Sequence, residues 1–524
     1  MRKVLFIALL TLFALPAYSQ LIGTVPSPEK GMTQNSVSNM GAFGDTLWIG
    51  PKLNYNIDNG HDWLIPEQAD SIVDGRGRVF SLALAQDTVW VGSGFNKPTD
   101  NGSVQTQQGL LSSFDGGSQW DFISPEQTLD AQEDTLLSYG GQEIDALPVV
   151  VPEQSPPFNV DFHGDTVFMS AWASGIRRSQ DGGETWQRIV LPPKEMDELD
   201  PDSGEDFDFK MDPNQPGDGH PNQQNYPRGY LNFLGFSVKI DDDGYVWAGT
   251  AGGLNVSDNA LTADKDQIRW RNINHGTSRD DMFGNWVTHI NQNSYDGRVW
   301  ITNWISTDQD ERYGVVATSD KGETFDRYLV DEQIYAVEFD GETIYAAGDN
   351  GLFISKNNGA SWIQHERLES PNTFIKETAD YFDVAHTNDR LWVGTSDGLA
   401  STDDQGESWE IRRVNFPLDG ENQHQSTAPD VDSYAYPNPF SMRAHEITRI
   451  KFEVEETSSV KIRLYDFAMN PIRELDDISS VEPGTYEAAW DGTDEQGRNV
   501  ANGTVFYRIE AGDQEITGKI LVLE

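Results

Sequence analysis

The sequence contains no cysteine, which excludes disulfides, thiolate metal sites and lipid attachment at a cysteine. Basic residues are also scarce, because 37 Lys and Arg stand against 85 Asp and Glu, a formal net charge of −48. Nucleic acids and anionic membrane surfaces need a basic footprint on a partner, so the composition argues against both. Aromatic residues make up 11% of the chain, and this distinguishes it from a disordered acidic protein.

A hydrophobic run at the start of the chain, residues 4–16, is too short to span a membrane well. It follows a basic start at residues 1–3 and precedes Ala17-Tyr18-Ser19, a small-x-small cleavage sequence. We therefore predict a signal peptide over residues 1–19 and a mature chain that starts at Gln20 without a membrane span. A transmembrane anchor is the alternative.

One short phrase, Ser/Thr-x-Asp-x-Gly-x-x-Trp/Phe, recurs along the chain. Its copies occupy residues 113–120, 179–186, 318–325, 355–362 and 402–409, with a weaker copy at 56–63. The residues at its acidic position are Asp58, Asp115, Asp181, Asp320, Asn357 and Asp404. We expect each acidic side chain to cap a β-turn by accepting backbone N–H groups, which is a structural role.

A second phrase, an alternating strand that usually ends in glycine, precedes each copy. It occurs at residues 45–50, 87–92, 165–170, 244–249, 297–302, 342–348 and 389–394. The fourth copy is followed by Ser257, Asp258, Asn259 and, after an insertion, Trp270, which we interpret as a broken version of the turn. Both counts predict seven blades of a β-propeller, each with four strands, a to d.

The repeated turn is the Asp-box, and residues 35–415 resemble the Asp-box propellers. That group includes sialidases, sortilin-type receptors, xyloglucanases and photosystem assembly factors, which share the repeat but differ in chemistry. The resemblance implies a fold and leaves the activity open. The predicted propeller domain spans residues 20–416.

Long connections occur at b–c positions (residues 94–109 and 303–313) and at d–a positions (residues 121–157, 187–229 and 271–284). These positions alternate with the short turns, so we expect all five on one face of the disc, the predicted binding face. The alternative is that these loops lengthened by evolutionary drift and bind nothing.

Aromatic residues occur on that face where turns need none. The candidate ligand-binding residues are Trp172, Trp304, Trp286, Tyr335, Tyr381, Asn159 and His289. The two polar residues come from an alignment of the a strands that places Asn39, Ser81, Asn159, Gly235, His289, Ala336 and Asp383 at one position. Aromatic platforms with a few polar groups suit a glycan or protein ligand, and the alternative is that the rings fill blade interfaces.

No cofactor is predicted, although an acidic segment contains Asp200, Asp202, Asp206 and Asp208 at alternate positions. These carboxylates could supply oxygen atoms to Ca²⁺, but the spacing lacks a full calcium-loop pattern and favours a solvated acidic loop.

Catalysis is disfavoured by the sequence. The arginine motif near the start of sialidases is missing, since the first arginine after Gln20 is Arg76. A xyloglucanase-like hydrolase needs two facing carboxylates, for which Asp161 and Asp383 on a strands are the candidates. Nothing marks them as a pair, so non-catalytic binding is favoured, a glycoside hydrolase is the alternative, and a structural surface or adhesion component is the third possibility.

The repeat stops at a polar linker, residues 417–431, and residues 432–524 contain alternating strands. Tyr436-Pro437-Asn438-Pro439-Phe440, Trp490-Asp491-Gly492 and Tyr507-Arg508 occur in order. This segment resembles the C-terminal sorting domain of type IX secretion, which is similar to an FlgD-like immunoglobulin-type sandwich. The resemblance implies the type IX machinery as a partner and a secreted or outer-membrane cell-surface location. The sequence therefore predicts an all-β chain, a seven-bladed β-propeller followed by a small β-sandwich.

Overall fold

The structure is a computed structural model that describes residues 32–58, 63–66, 68–69, 77–100, 102–129, 136–145, 151–194, 196–204, 207, 230–275, 282–306, 310–371, 373–414 and 431–523. The predicted signal peptide and nearly all of the predicted linker lie outside these residues. No helix in the described part is long and apolar enough to cross a membrane.

Seven antiparallel sheets follow one another along the chain, and the four strands that form each blade are neighbours in the order of the sequence. The first sheet contains β1 (Asn39–Phe43), β2 (Thr46–Gly50), β3 (Asn54–Asn56) and β4 (Trp63–Leu64), and the second contains β5 (Arg78–Ala85), β6 (Thr88–Thr99), β7 (Gly102–Ser113) and β8 (Asp121–Ile123). A helix, α1 (Pro125–Leu129), and a hairpin of β9 (Leu136–Tyr139) and β10 (Gln142–Asp145) follow. The third sheet contains β11 (Pro157–His163), β12 (Thr166–Ala171), β13 (Gly175–Ser179) and β14 (Gln187–Arg188).

The fourth sheet gains an extra outer strand, β15 (Glu198–Leu199), which pairs with its d strand. A 3₁₀ helix (Tyr230–Phe233) precedes the other strands of this sheet, β16 (Gly235–Ile240), β17 (Val246–Thr250), β18 (Gly253–Ser257) and β19 (Trp270–Ile273). The fifth sheet contains β20 (Trp286–Gln292), β21 (Val299–Trp304), β22 (Gly314–Thr318) and β23 (Asp326–Tyr328), and the sixth contains β24 (Ile334–Asp340), β25 (Thr343–Gly348), β26 (Gly351–Ser355) and β27 (Ile363–His365). After a hairpin of β28 (Glu369–Ser370) and β29 (Thr373–Phe374), the seventh sheet contains β30 (Tyr381–Thr387), β31 (Arg390–Thr395), β32 (Gly398–Thr402) and β33 (Glu410–Arg412). The fold is a seven-bladed β-propeller, as predicted.

The core of the propeller lies between blades. Each b strand carries a large aromatic residue that is fully buried, and Trp48, Trp90 and Trp300 are examples. The indole of Trp90 faces Gly183 in the turn of the following blade, where an added Cβ would come within 2.8 Å of the ring. The repeated tryptophan and the repeated turn glycine are thus two halves of one packing contact between consecutive blades.

A small β-sandwich follows the propeller. It contains β34 (Ser433–Tyr436), a helix α2 (Met442–His445), β35 (Thr448–Val454), β36 (Ser458–Tyr465), β37 (Pro471–Val481), β38 (Gly484–Trp490), β39 (Gly503–Ala511) and β40 (Gln514–Val522). One sheet has the order β34-β35-β38 and the other β37-β36-β39-β40. Alternate residues of both sheets form one shared hydrophobic core around Phe440 and Trp490.

The sandwich docks on the seventh blade through a buried network of charges. Arg449 of the sandwich contacts Asp397 of the propeller with a nitrogen–oxygen distance of 2.9 Å. Arg413 lies 3.1 Å from Asp397 and 3.0 Å from Glu487 of the sandwich. No more than 10% of any of the four side chains is exposed, and the two positive charges balance the two negative ones.

Two insertions depart from the prediction that all long connections lie on one face. The β9–β10 hairpin reaches the c–d loop of the fourth blade, where Tyr139 donates a hydrogen bond to the carbonyl of Ile268 at 2.8 Å. That loop is on the opposite face from the start of the insertion. Similarly, β15 extends the outer edge of the fourth blade. Both segments bury apolar residues at the rim of the disc, including Leu137 and Leu199, which explains their path.

Candidate functional site

A central tunnel is enclosed by the seven a strands and has a volume of about 580 Å³. In six of these strands the pairing register shifts by one residue near the tunnel mouth. The shift is a β-bulge, which turns two successive residues toward the same side. The extra residues of the bulges are Phe80, Phe158, Phe236, Thr288, Tyr335 and Phe382, and all of them line the tunnel.

Rings from neighbouring blades contact one another around the mouth. We call this set the aromatic collar, and it consists of Phe80, Phe158, Trp172, Phe236, Trp286, Trp304, Tyr335 and Phe382. Centroid distances run from 5.1 Å for Trp172 and Phe236 to 6.2 Å for Tyr335 and Phe382. All but Phe80 remain partly exposed. The collar therefore presents aromatic surface to whatever enters the tunnel from the predicted binding face.

Four of the five aromatic residues singled out in the sequence belong to this collar: Trp172, Trp286, Trp304 and Tyr335. The indole N–H of Trp304 is fixed by the carbonyl of Ile334 at 2.8 Å. Tyr381 lies elsewhere, because its side chain is fully buried in the core around the sixth and seventh blades. Its neighbour Phe382 takes the place at the mouth that the sequence assigned to Tyr381.

The tunnel-facing row differs from the predicted alignment at one position. Asn39, Ser81, Asn159, His289, Ala336 and Asp383 do pair with equivalent residues of their b strands. In the fourth blade, however, the equivalent residue is Ser237, which pairs with Gly249, whereas Gly235 pairs with Thr250. The bulge between Gly235 and Ser237 shifts the register by one residue.

Polar side chains of this row join neighbouring blades. Asn159 accepts a hydrogen bond from the backbone N–H of Val238 at 2.9 Å. Asp383 accepts a hydrogen bond from the backbone N–H of Met40 at 2.6 Å and thereby connects the last blade to the first. Asp161, two residues beyond Asn159, accepts from the N–H of Ile240 at 2.7 Å. Both carboxylates that a hydrolase would need are thus already held by the backbone of the next blade.

Charged residues below the collar are unevenly distributed. Asp161 and Lys239 form an ion pair at 3.5 Å on one side of the tunnel. Glu338 accepts hydrogen bonds from Asn291 at 3.1 Å and from the N–H of Phe339 at 3.1 Å. Within the described part of the chain, neither Glu338 nor Asp383 forms an ion pair.

Burial controls the ionisation of these groups. It raises the pKa of Glu338 to about 7 and the pKa of Asp383 to about 7. It lowers the pKa of His289 to about 4, with a contribution from the charge of Lys239. The charge of Asp161 raises the pKa of Lys239. At neutral pH the tunnel therefore contains a neutral imidazole, one ion pair and two partly ionised carboxyl groups.

The acidic residues of the repeated turn have the structural geometry expected of them. Asp181 accepts a hydrogen bond from the N–H of Thr185 at 2.9 Å and another from the hydroxyl of Ser179 at 2.7 Å. Asp115, Asp320, Asn357 and Asp404 make equivalent bonds. In the fourth blade Asn259 accepts from Arg269 N–H at 2.9 Å, so the broken turn keeps the same cap across its insertion. Asp58 bonds with Asn56, and the rest of its turn lies outside the described residues.

Of the four carboxylates considered for calcium, two lie in the described part of the chain. Asp200 accepts a hydrogen bond from the N–H of Asp202 at 2.8 Å and caps a turn. Asp206 and Asp208 fall outside the described residues, so the calcium site stays a prediction.

Sequence reasoning missed the four phenylalanines of the collar and the charged residues Lys239 and Glu338. A signal was present, since an aromatic residue directly precedes the tunnel-facing residue in five blades: Phe80, Phe158, Phe236, Tyr335 and Phe382. In a regular strand such a residue points away from its successor, and only the bulge brings it to the mouth.

The sequence matches no protein-family model and no curated protein. Among solved structures it is similar to PorZ, described as a surface component of the type IX secretion system of Porphyromonas gingivalis, with 12% identity over 93% of this chain and 70% of that chain and a TM-score of 0.40. It is also similar to a GH74 enzyme of Niastella koreensis, with 12% identity over 95% and 75% of the two chains and a TM-score of 0.46. A third similar structure is YCF48 bound to D1 peptide, with 14% identity over 71% of this chain and 94% of that chain and a TM-score of 0.40. At these identities the similarity extends to the fold and assigns no activity.

Proposed function

We propose that this chain is an exported β-propeller that binds a glycan or protein ligand at the aromatic collar and does not catalyse a reaction. The observation that carries the proposal is the collar itself, a set of eight aromatic side chains, all but Phe80 partly exposed, at the mouth of a cavity of about 580 Å³. Concave sites lined by aromatic rings with a few polar groups are typical of ligand binding.

The engagement of Asp161 supports binding over hydrolysis. An acid–base or nucleophilic pair needs two carboxylates free to reach a glycosidic bond. Asp161 instead accepts a backbone hydrogen bond and pairs with Lys239, and Asp383 accepts two backbone N–H groups, at 2.6 and 2.9 Å.

The test is a screen of the full mature chain against glycan and peptide arrays, with reducing-sugar release measured on every glycan that binds. We expect binding without sugar release, reduced at least about tenfold in Trp286→Ala and Trp304→Ala, since each removes a contact worth roughly 1–3 kcal/mol. Phe467→Ala is the matched control, because Phe467 is an exposed ring of the sandwich, 80% exposed. Sugar release that disappears in Asp161→Asn or Asp383→Asn would replace this proposal with the hydrolase.

Export is proposed from the motifs of the C-terminal sandwich and from the predicted signal peptide. The sandwich would be recognised by the type IX machinery, and the propeller would reach the cell surface or the medium. Removal of residues 432–524 is expected to leave the propeller inside a bacterium that uses this pathway, as measured by surface labelling and fractionation. Equal surface labelling of the truncated and full chains would contradict this role.

A further inference from the structure

The inference concerns which chemical group enters the tunnel, and it rests on the proposed function. We propose that the tunnel receives the cationic head of a lysine or arginine side chain from a protein partner, with Glu338 and Asp383 as its counter-charges. The aromatic collar would surround the apolar stem of that side chain.

The first observation is the contrast between the two sides of the tunnel. Asp161 is neutralised by Lys239 on the side of the third and fourth blades. Glu338 and Asp383, on the sixth and seventh blades, accept hydrogen bonds, and in the described residues neither lies within ion-pair distance of a cationic group. The charge of Lys239 acts on Glu338 from across the tunnel, but this single cation faces three carboxylates, Asp161, Glu338 and Asp383. Carboxylates held in a confined space without a counter-ion are stabilised by a cation that enters it.

The second observation is the position of the two carboxylates relative to the collar, since Asp383 directly follows the collar residue Phe382 and Glu338 lies deeper. Glu338 lies three residues past Tyr335 on the same strand, and a strand advances about 3.3 Å per residue. A lysine or arginine side chain has an apolar stem of three or four carbons and a polar head, which matches an aromatic entrance above an acidic floor.

A third observation supplies an acceptor. His289 also lines the tunnel. His289 is neutral near pH 7, since its pKa is lowered to about 4, so the imidazole adds no positive charge that would repel a cation, and one of its two nitrogen atoms carries a lone pair. The guanidinium and ammonium groups carry several donors and no acceptor, which fits this lining. The net charge of −48 also attracts cations toward the chain.

The experiment is a calorimetric titration of the full mature chain with blocked pentapeptides that differ only at the central residue: arginine, lysine, citrulline or glutamate. Citrulline keeps the shape of arginine but lacks its charge. Glucosamine and N-acetylglucosamine form a separate arm that tests an amino sugar as the source of the cation. We expect the arginine or lysine peptide to bind at least about tenfold more tightly than the citrulline peptide.

Variants locate the counter-charges. Glu338→Gln and Asp383→Asn are each expected to reduce the affinity for the cationic peptide about tenfold and to leave the citrulline peptide unaffected. Asp389→Asn, which removes an exposed charge outside the tunnel, is the matched control and is expected to change neither.

Binding should also strengthen from about pH 5 to about pH 8. A bound cation favours the ionised forms of Glu338 and Asp383, whose pKa values are about 7 in the free protein, so protons are released on binding. The other titratable groups that line the tunnel are Asp161, Lys239, His289, Tyr335 and His386. Lys239 pairs with Asp161, and its charge also favours the ionised form of Glu338, whereas the charge of Glu338 opposes ionisation of Asp383.

Each outcome decides between the proposals. Equal binding of the arginine and citrulline peptides, lost in Trp286→Ala, would overturn the proposal that the ligand is a cation and would leave the collar as a binding site. Binding of glucosamine but of neither cationic peptide would overturn the protein side chain as the source. The absence of binding by any cationic peptide at about 10 mM would overturn the inference, and the array screen would then decide the proposed function separately.

Discussion

At the scale of single residues, the acidic position of the repeated turn shows what the sequence can and cannot predict. Its capping role follows directly from the pattern, since a carboxylate two residues after Ser or Thr accepts the backbone N–H groups that the turn leaves unpaired. The sequence identified Asp161 and Asp383 as candidate carboxylates of a hydrolase, but it could not show which groups their side chains contact. Their hydrogen bonds go to residues of the neighbouring blade, and such contacts depend on packing that no local pattern contains.

The chain contains its own control for the capping role, because Asn357 makes the bonds that Asp404 makes in the next blade. We expect Asp404→Asn to change the free energy of unfolding by less than about 1 kcal/mol. Asp404→Ala, which leaves turn N–H groups without an acceptor, is expected to lower it by about 1–2 kcal/mol. Chemical denaturation at pH 7 measures both. Equal effects of the two substitutions would contradict the capping role.

Asp383 gives a prediction about pH. Burial raises its pKa to about 7 in the folded protein, above the ordinary value of an aspartate, so the folded state favours the neutral acid. The stability that this residue contributes is therefore present at low pH and is lost as the pH rises through about 7. Asp383→Asn stays neutral, and we expect its free energy of unfolding relative to the wild type to improve by about 1–2 kcal/mol between pH 5 and pH 8.

Comparing the two pH values cancels the pH-independent loss of one acceptor oxygen in Asp383→Asn. Asp389→Asn provides the control, since Asp389 is exposed, and its stability relative to the wild type should not change between the same two pH values. A constant difference for Asp383→Asn would show that the carboxyl group is not perturbed by burial.

At the scale of elements, strand patterns predicted the four-stranded blades and their number, but they did not predict the bulges in the a strands. A bulge moves one residue to the other side of a strand without changing its composition. This is why Ser237 replaced Gly235 in the tunnel-facing row and why Phe382 replaced Tyr381 at the mouth. The candidate site was therefore predicted as a region, with one aromatic member wrong by one residue and one position of the tunnel-facing row wrong by two.

Two adjacent glycines of one turn test the contact between blades. Gly182 and Gly183 both have a positive φ, 69° and 94°. A Cβ at Gly182 would meet no atom within 4 Å, whereas a Cβ at Gly183 would lie 2.8 Å from the ring of Trp90 in the preceding blade. We expect Gly182→Asn to cost less than about 1 kcal/mol and Gly183→Asn to cost about 3 kcal/mol or more in unfolding free energy. Similar losses would mean that backbone conformation alone selects glycine there.

At the scale of the whole molecule, the sandwich and the propeller form an interface that the sequence analysis did not anticipate. A domain predicted only as an export signal would need no specific contact with its cargo. The four-charge network around Asp397 and Arg449 instead fixes the sandwich on the seventh blade. Removal of one member of a buried network leaves an uncompensated charge, which typically costs about 3–5 kcal/mol.

Cleavage between the domains measures this interface. We expect that, after cutting at a protease site introduced within residues 415–430, the two parts of the wild-type chain still co-elute in gel filtration. Arg449→Ala should separate them. Arg498→Ala, at a residue of the sandwich that is 73% exposed, should leave them together. Separation of the wild-type parts would show that the covalent connection alone joins the domains.

The contiguity of the blades has a consequence for how the ring is made. Each blade is built from one continuous segment of the chain, and the first and last blades exchange no strands. Closure depends on contacts such as Asp383 with Met40 and the N–H of Val37 with the carbonyl of Thr395 at 2.9 Å. Every blade is thus a complete sheet as soon as its own segment has emerged. A circularly permuted gene that starts at another blade would encode the same set of sheets, and the chain can assemble its disc one blade at a time from the N-terminus.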